Sequence, residues 1–236
     1  MSEIITERRG NAGLITLNRP KALNALSLAM VRELLATLQA WRDDPGVHRV
    51  AIRGSNKTGR PGTPEALFGG FSAGGEIHNY PKPYIAFMDG VVMGGGMGLS
   101  QGAHLRVVTE HTKMAMPETN IGLFPDVGGG YFLSRCQGHA GEYLALTGEV
   151  ITPEDALGFG LADIKLQAAQ MPVLWEALAT RNFTDVASIR SFVATNFIAA
   201  SAGSDWVEAD FDAYFSLPTV SGIVQALEST RSPWAR

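Results

Sequence analysis

Two patterns of apolar residues alternate along this chain, and together they leave few folds open. Ile4 to Arg8 and Leu14 to Leu17 are short runs of β-formers, joined by the turn chemistry of Gly10-Asn11-Ala12-Gly13. Asn18-Arg19-Pro20 ends the second run, because proline has no N–H to give to a ladder. Behind Ser27, a good N-cap, Leu28, Val31, Leu34, Leu35, Leu38 and Trp41 then recur at helical spacing. Asp43-Asp44-Pro45-Gly46 stops that helix. Val47 to Arg53, Tyr84 to Met88 and His104 to Thr109 read as further strands, with a surface loop over 54–70. A helix is predicted to open at the glycines 94–96, and Thr152-Pro153-Glu154-Asp155 starts another. The Gly-rich stretch from Glu118 to Gly130 reads as loop leading into a helix, and beyond Met171 the pattern is mostly helical. Strands alternating with helices predict an α/β fold. The order strand-strand-helix, repeated roughly twice before residue 110, fits a spiral of ββα units better than a plain doubly wound sheet.

Composition narrows the function classes. A chain of 236 residues with 45% hydrophobic content can bury a sizeable core as one large domain, or one domain with a small appendage. A net charge of −4 makes no global electrostatic case for a nucleic-acid or membrane partner; a polyanionic ligand would need a local basic patch. The one cysteine, Cys136, excludes an internal disulfide and a cysteine-based metal cluster, and its apolar neighbours make it a core residue. The five histidines show no ligand spacing, so no metal is expected. The first ten residues, MSEIITERRG, carry charges early, and no later run reaches the roughly 18 apolar residues that span a bilayer. A soluble, intracellular protein is expected, with oligomeric state left open.

Four sites in the chain could carry chemistry. Ala73-Gly74-Gly75 and Gly94-Gly95-Gly96 each follow a strand, and the second opens a helix. Glycine lets a ligand approach the backbone closely, and free N–H groups from two such loops can converge on one oxygen as an oxyanion hole. Either cluster alone also fits a tight turn or close helix–strand packing. Neither the dinucleotide fingerprint nor the P-loop pattern is met. Glu118, in Met116-Pro117-Glu118-Thr119, and Asp126, before Gly128-Gly129-Gly130, have apolar neighbours. Such surroundings disfavour an ionised carboxylate and can tune it for acid/base or nucleophilic work. Taken singly, Glu118 also fits an exposed loop residue and Asp126 a helix N-cap.

The segments 71–76, 90–96 and 116–130 resemble, in the right order, the three signature segments of the crotonase (enoyl-CoA hydratase/isomerase) superfamily. Leu17-Asn18-Arg19-Pro20-Lys21-Ala22-Leu23-Asn24-Ala25-Leu26 resembles the first segment of that family, which borders the CoA site. The match is sharp over about residues 4–165. It implies a crotonase-like spiral core over 1–165, then a helical C-terminal region over 166–236. It also implies that the N–H groups of Gly75 and Gly95 hold a thioester oxygen, and that Lys21, Ala22, Leu23 and Ala73 contact the substrate and its CoA. Hydratases of the family usually carry a glutamate where this chain has Gly98 and a second where it has Glu118; where Asp126 stands they usually have glycine. Glu118 with Phe124-Pro125-Asp126-Val127-Gly128-Gly129-Gly130 resembles the branch that hydrolyses 3-hydroxyisobutyryl-CoA in valine breakdown. The resemblance implies Glu118 and Asp126 as catalytic residues and CoA as part of the substrate, with no external cofactor.

Two other functions stay open at this point. One is an enoyl-CoA hydratase or isomerase, against which Gly98 argues in the hydratase case. The other is a catalytically silent CoA-binding module, whose mark would be loss of a carboxylate. Family members usually carry a long helical stretch where only Ile77-His78-Asn79-Tyr80-Pro81 stands here, and hydrolases of the branch continue well past Ser232-Pro233-Trp234. A longer polypeptide is therefore expected, with two chain ends near His78–Asn79.

Overall fold

From the third strand to the eighth, each strand of a large sheet is followed by a strand of a small one. The computed structural model describes residues 2–55, 66–68 and 77–197. Strands β1 (Ile4–Arg9) and β2 (Ala12–Leu17) form an antiparallel hairpin. Helix α1 (Leu28–Asp43) leads to β3 (Arg49–Gly54), which lies parallel to β2. Then β4 (Ala66–Phe68), β5 (Tyr84–Met88), β6 (Val91–Met93), helix α2 (Gly95–Gln101), β7 (Leu105–Val108) and β8 (Lys113–Ala115) follow. Helices α3 (Gly129–Leu133), α4 (Ala140–Thr147) and α5 (Pro153–Gly158) precede β9 (Ile164–Lys165), and α6 (Met171–Thr180) and α7 (Val186–Asn196) end the described chain. The six-stranded sheet has the order β1-β2-β3-β5-β7-β9, and the three-stranded sheet has β4-β6-β8. Every pair after the hairpin is parallel. This alternation between two sheets is the spiral of ββα units expected for the crotonase fold.

The large sheet is covered on both faces, which is why β5 reads Tyr-Ile-Ala-Phe-Met with every residue buried. Successive side chains point to opposite faces. Tyr84, Ala86 and Met88 join a core with Ile15, Leu17, Val50 and Ile52, against Met30, Leu34 and Leu38 of α1. Ile85 and Phe87 join a second core with Leu14, Ala51, Leu105 and Val107, against Leu174, Trp175 and Leu178 of α6 and Ile189 and Val193 of α7. Ser27 caps α1 as expected, its side chain accepting from the Met30 N–H. Thr152 and Asp155 form a reciprocal capping box on α5. Cys136 is partly buried against the first core, and burial pushes its thiol up to about 12.

Several expectations need correction. Only Gly10 and Asn11 turn the hairpin; Ala12 and Gly13 already pair in β2. Gly13 is small because a Cβ there would lie 2.4 Å from the Trp41 ring. The buried stripe of α1 runs through Met30, while Leu28, at the first helical position, is 65% exposed. The loop over 54–70 holds a strand, β4, in parallel register with β6. At 77–80 the backbone turns, with the Tyr80 N–H bonded to the Ile77 carbonyl at 3.1 Å, and delivers the chain to β5. Among the described residues, no helix is long and apolar enough to cross a membrane.

Candidate active site

The small sheet gathers the site. Its strands are parallel and in register, Phe68 beside Met93 and Met93 beside Ala115. The segments leaving their carboxyl ends therefore start side by side, as ligand-binding loops do in parallel sheets. These are the stretch that runs on from β4, Gly94–Gly96 after β6, and Met116–Glu118 after β8. Ala73 and Gly75 lie outside the described residues.

Gly94 has φ +52, a conformation that glycine adopts freely, and it turns the chain from β6 into α2. A Cβ there would approach Glu118 Oε1 to 3.0 Å, so the Glu118 carboxylate rests on the turn. Gly95 is the first residue of α2, where an N–H has no partner within the helix. Glu118 sits in a short 3-10 turn, Pro117–Ile121, begun by proline and ended by left-handed Gly122 at φ +76. The Leu123 N–H bonds back to the Glu118 carbonyl at 3.0 Å.

Glu118 is buried, so the exposed-loop alternative fails. Its Oε2 has no hydrogen-bond partner among the described residues. Burial raises its pKa above the ordinary carboxylate range, and the neighbouring charge of Asp126 raises it further, against a backbone hydrogen bond that lowers it. Both acids come from the segment that follows β8, Glu118 in its 3-10 turn and Asp126 just before α3. Asp126 does not cap a helix. The N-cap of α3 is Gly128, and no side chain bonds there; Asp126 contributes only its carbonyl, which accepts the Gly129 N–H at 2.6 Å. Between the acids, Ile121, Leu123 and Phe124 stand exposed as an apolar rim.

Lys21 and Ala22 lie in the 3-10 turn Pro20–Ala22, and Leu23 closes it at φ +52. Buried Asn24, also left-handed at φ +55, holds this turn in place. Its Oδ1 accepts the Arg19 N–H at 2.9 Å, and its Nδ2 donates to the Ser55 carbonyl at 2.8 Å. The turn is thereby tied to the carboxyl end of β3. Sequence reasoning placed Asn24 in the segment without a role; the signal available was the tolerance of asparagine for left-handed backbone. It also missed Val127, whose φ of +45 is rare for a β-branched residue. Among the described residues, no group of three or more His, Cys, Asp and Glu side chains could hold a metal ion.

A family model described as Enoyl-CoA hydratase/isomerase matches residues 12–78 and 69–236. The mitochondrial 3-hydroxyisobutyryl-CoA hydrolase of Rattus norvegicus is 38% identical over 257 aligned residues, covering 99% of this chain and 67% of that protein. The Homo sapiens protein of the same name is 35% identical over 256 residues, covering 99% of this chain. These alignments are longer than the chain itself, so the relatives carry residues that it lacks, and the two family-model matches overlap at 69–78. Among solved structures, a carnitinyl-CoA dehydratase from Mycobacterium thermoresistibile superposes with a TM-score of 0.78 at 31% identity, covering 99% of this chain and 72% of that one. An enoyl-CoA hydratase from Rhodobacter sphaeroides gives 0.77 at 34%, covering 98% and 71%. With the spiral, the strand-end loops and these likenesses in agreement, the chain belongs to the enoyl-CoA hydratase/isomerase family.

Proposed function

We propose that this protein hydrolyses the thioester of 3-hydroxyisobutyryl-CoA to 3-hydroxyisobutyrate and CoA. The observation that carries this reading is the acid pair. Buried Glu118 and Asp126 come from one segment, while Gly98, where a hydratase of the family would present its other acid, is closed by Val127. The likeness to the named hydrolases over 99% of the chain supports the same substrate.

In this reading the N–H groups of Gly75 and Gly95 polarise the thioester carbonyl and take up the negative charge that develops on its oxygen. The buried Oε2 of Glu118, which has no hydrogen-bond partner among the described residues, is the atom assigned to act on the reacting carbon. It attacks to give a mixed anhydride as the C–S bond breaks and the thiolate leaves to be protonated; water then cleaves the anhydride. Alternatively, Glu118 takes a proton from water, which adds directly. Asp126 orients the substrate hydroxyl or the water. The turn at Lys21, Ala22 and Leu23, with Ala73, holds the CoA portion, which enters as part of the substrate; no other cofactor takes part.

The test follows free thiol during incubation with 3-hydroxyisobutyryl-CoA, and loss of the enoyl absorbance with crotonyl-CoA. Thiol release from the first and an unchanged enoyl group in the second are expected. Hydration of crotonyl-CoA without thiol release would replace the hydrolase reading with a hydratase one. Binding of both esters without either reaction would leave a silent CoA-binding module.

A further inference from the structure

Two glycines lie at the start of α2 four residues apart: Gly94, its N-cap, and Gly98, within its first turns. Each takes a different part of the site. Gly94 receives the carboxylate of Glu118, as described above. At Gly98 the fit is tighter. A Cβ would lie 2.7 Å from Val127 Cβ, 3.1 Å from Val127 Cγ2 and 3.1 Å from the Val127 carbonyl oxygen. The nearest of these atoms belongs to the root of a stiff side chain and cannot swing away. Any side chain at position 98 must push residue 127 back, backbone included.

Residue 127 is the neighbour of Asp126, and it is strained. Val127 is buried and holds φ +45, a region that β-branched residues avoid. Strain of this kind persists where surrounding contacts over-determine a conformation, and it clusters at functional sites. Here the contact is the backbone of α2 at Gly98. The same helix begins at Gly95, the candidate oxyanion donor. The N-cap and first turns of α2 thus meet both Glu118 and the backbone that carries Asp126, and they include the candidate oxyanion donor.

We propose that Gly98 and Val127 are an interlocked positioning pair, which fixes the backbone that carries Asp126 and closes position 98 to a further acid, committing the site to hydrolysis. The proposal rests on the hydrolase reading for its consequence, though not for its geometry. The site can present its second acid from the segment at 126 or from position 98 of α2. A side chain at 98 needs the volume that Val127 fills, so position 98 stays closed while Val127 keeps its place.

The test is a set of variants measured in two ways. Gly98→Ala should lower kcat for thioester hydrolysis at least 10-fold and change KM by less than about threefold, since the turn at 20–23 is untouched. The acid limb of its kcat/KM profile should move to lower pH, as the charge of Asp126 withdraws from Glu118. Adding Val127→Gly should restore kcat to within about threefold of Val127→Gly alone. Adding Val127→Ala should not, because the clashing Cβ remains. Gly98→Glu should lose hydrolysis and gain no hydration of crotonyl-CoA. A wild-type kcat in Gly98→Ala, the same loss in all three backgrounds at position 127, or hydration by Gly98→Glu would overturn the proposal. The thermal midpoints of the same proteins read the interlock without substrate. Gly98→Ala should depress Tm in the wild-type and Val127→Ala backgrounds and much less in the Val127→Gly background. Equal depression in all three would overturn the pair even for a protein that hydrolyses nothing, and failure of wild type to release thiol would sink the function alone.

Discussion

A carboxylate buried beside a second carboxylate is protonated more readily in the folded chain than in the unfolded one, and Glu118 is in that position. Its folded pKa is raised, so its contribution to stability is present below the ordinary value of 4.5 and is lost as pH rises through the folded value. At neutral pH the ionised form costs stability. Glu118→Gln should therefore stabilise the fold at neutral pH by no more than roughly 1 kcal/mol, as common stabilising substitutions do, and raise Tm accordingly. The gain should vanish in acid. The same variant should lose at least about 10³-fold in hydrolysis while still binding the CoA ester, as loss of a nucleophile or base does. Turnover near wild type, or a Tm gain that persists at pH 4, would remove Glu118 from the role. Because the reaction needs the carboxylate, kcat/KM should fall as pH drops through the raised pKa. Asp126→Asn removes the second cause of that rise and should move the acid limb to lower pH, with kcat down roughly 10- to 100-fold, the scale of lost acid–base or orienting help. Its Tm should hold, since Asp126 caps no helix. The two acids were legible in the sequence because Met116–Gly130 is long and specific. The strain at Val127 was not, because nothing in Val-Gly-Gly-Gly says which residue takes the left-handed conformation.

Elements were legible in proportion to their length. Helix α1 shows several turns of apolar spacing and a serine cap, and its bounds came out as read. The strands β4, β6 and β8 have three residues each, too few for a period of two to show, and their pairing depends on neighbours far along the chain. The buried charge in β3 was equally silent, since arginine is rarely fully buried. Arg49 is 1% exposed, and its guanidinium donates to the carbonyls of Leu178 at 2.7 Å, Phe183 at 3.2 Å and Arg181. These are orphan carbonyls at and beyond the end of α6, the negative end of a helix. Arg49 therefore rivets α6 to the sheet. Arg49→Met should cost about 2–5 kcal/mol, because two buried acceptors and one part-buried one lose their donor. That should lower Tm by about 5–15 °C for a chain of this size. Arg49→Lys should recover only part of the loss, since an ammonium cannot reproduce the planar fork. A melting point within about 1 °C of wild type for the methionine variant would make the rivet decorative.

For the whole molecule the sheet acts as a party wall. The core under α1 and the core under α6 and α7 meet on opposite faces of β2, β3, β5 and β7, and share no other floor. Val50 and Ile52 point one way from β3, and Ala51 points the other, so neither core can loosen without disturbing the strands of its neighbour. A reading of the sequence that sets residues 1–165 apart from 166–236 has a physical consequence if the division is a real one: α6 and α7 would peel off first. The packing instead favours a single cooperative unit. We expect one calorimetric transition, with van't Hoff and calorimetric enthalpies equal. Leu34→Ala, in the first core, and Leu178→Ala, in the second, should each cost about 2–5 kcal/mol as buried leucine truncations do. Both should move that one transition and leave it undivided. If Leu178→Ala instead splits the transition, with a low-temperature step that leaves the Leu34 side intact, the helices over the second face fold as a separate unit, and Arg49 is a tether between two bodies.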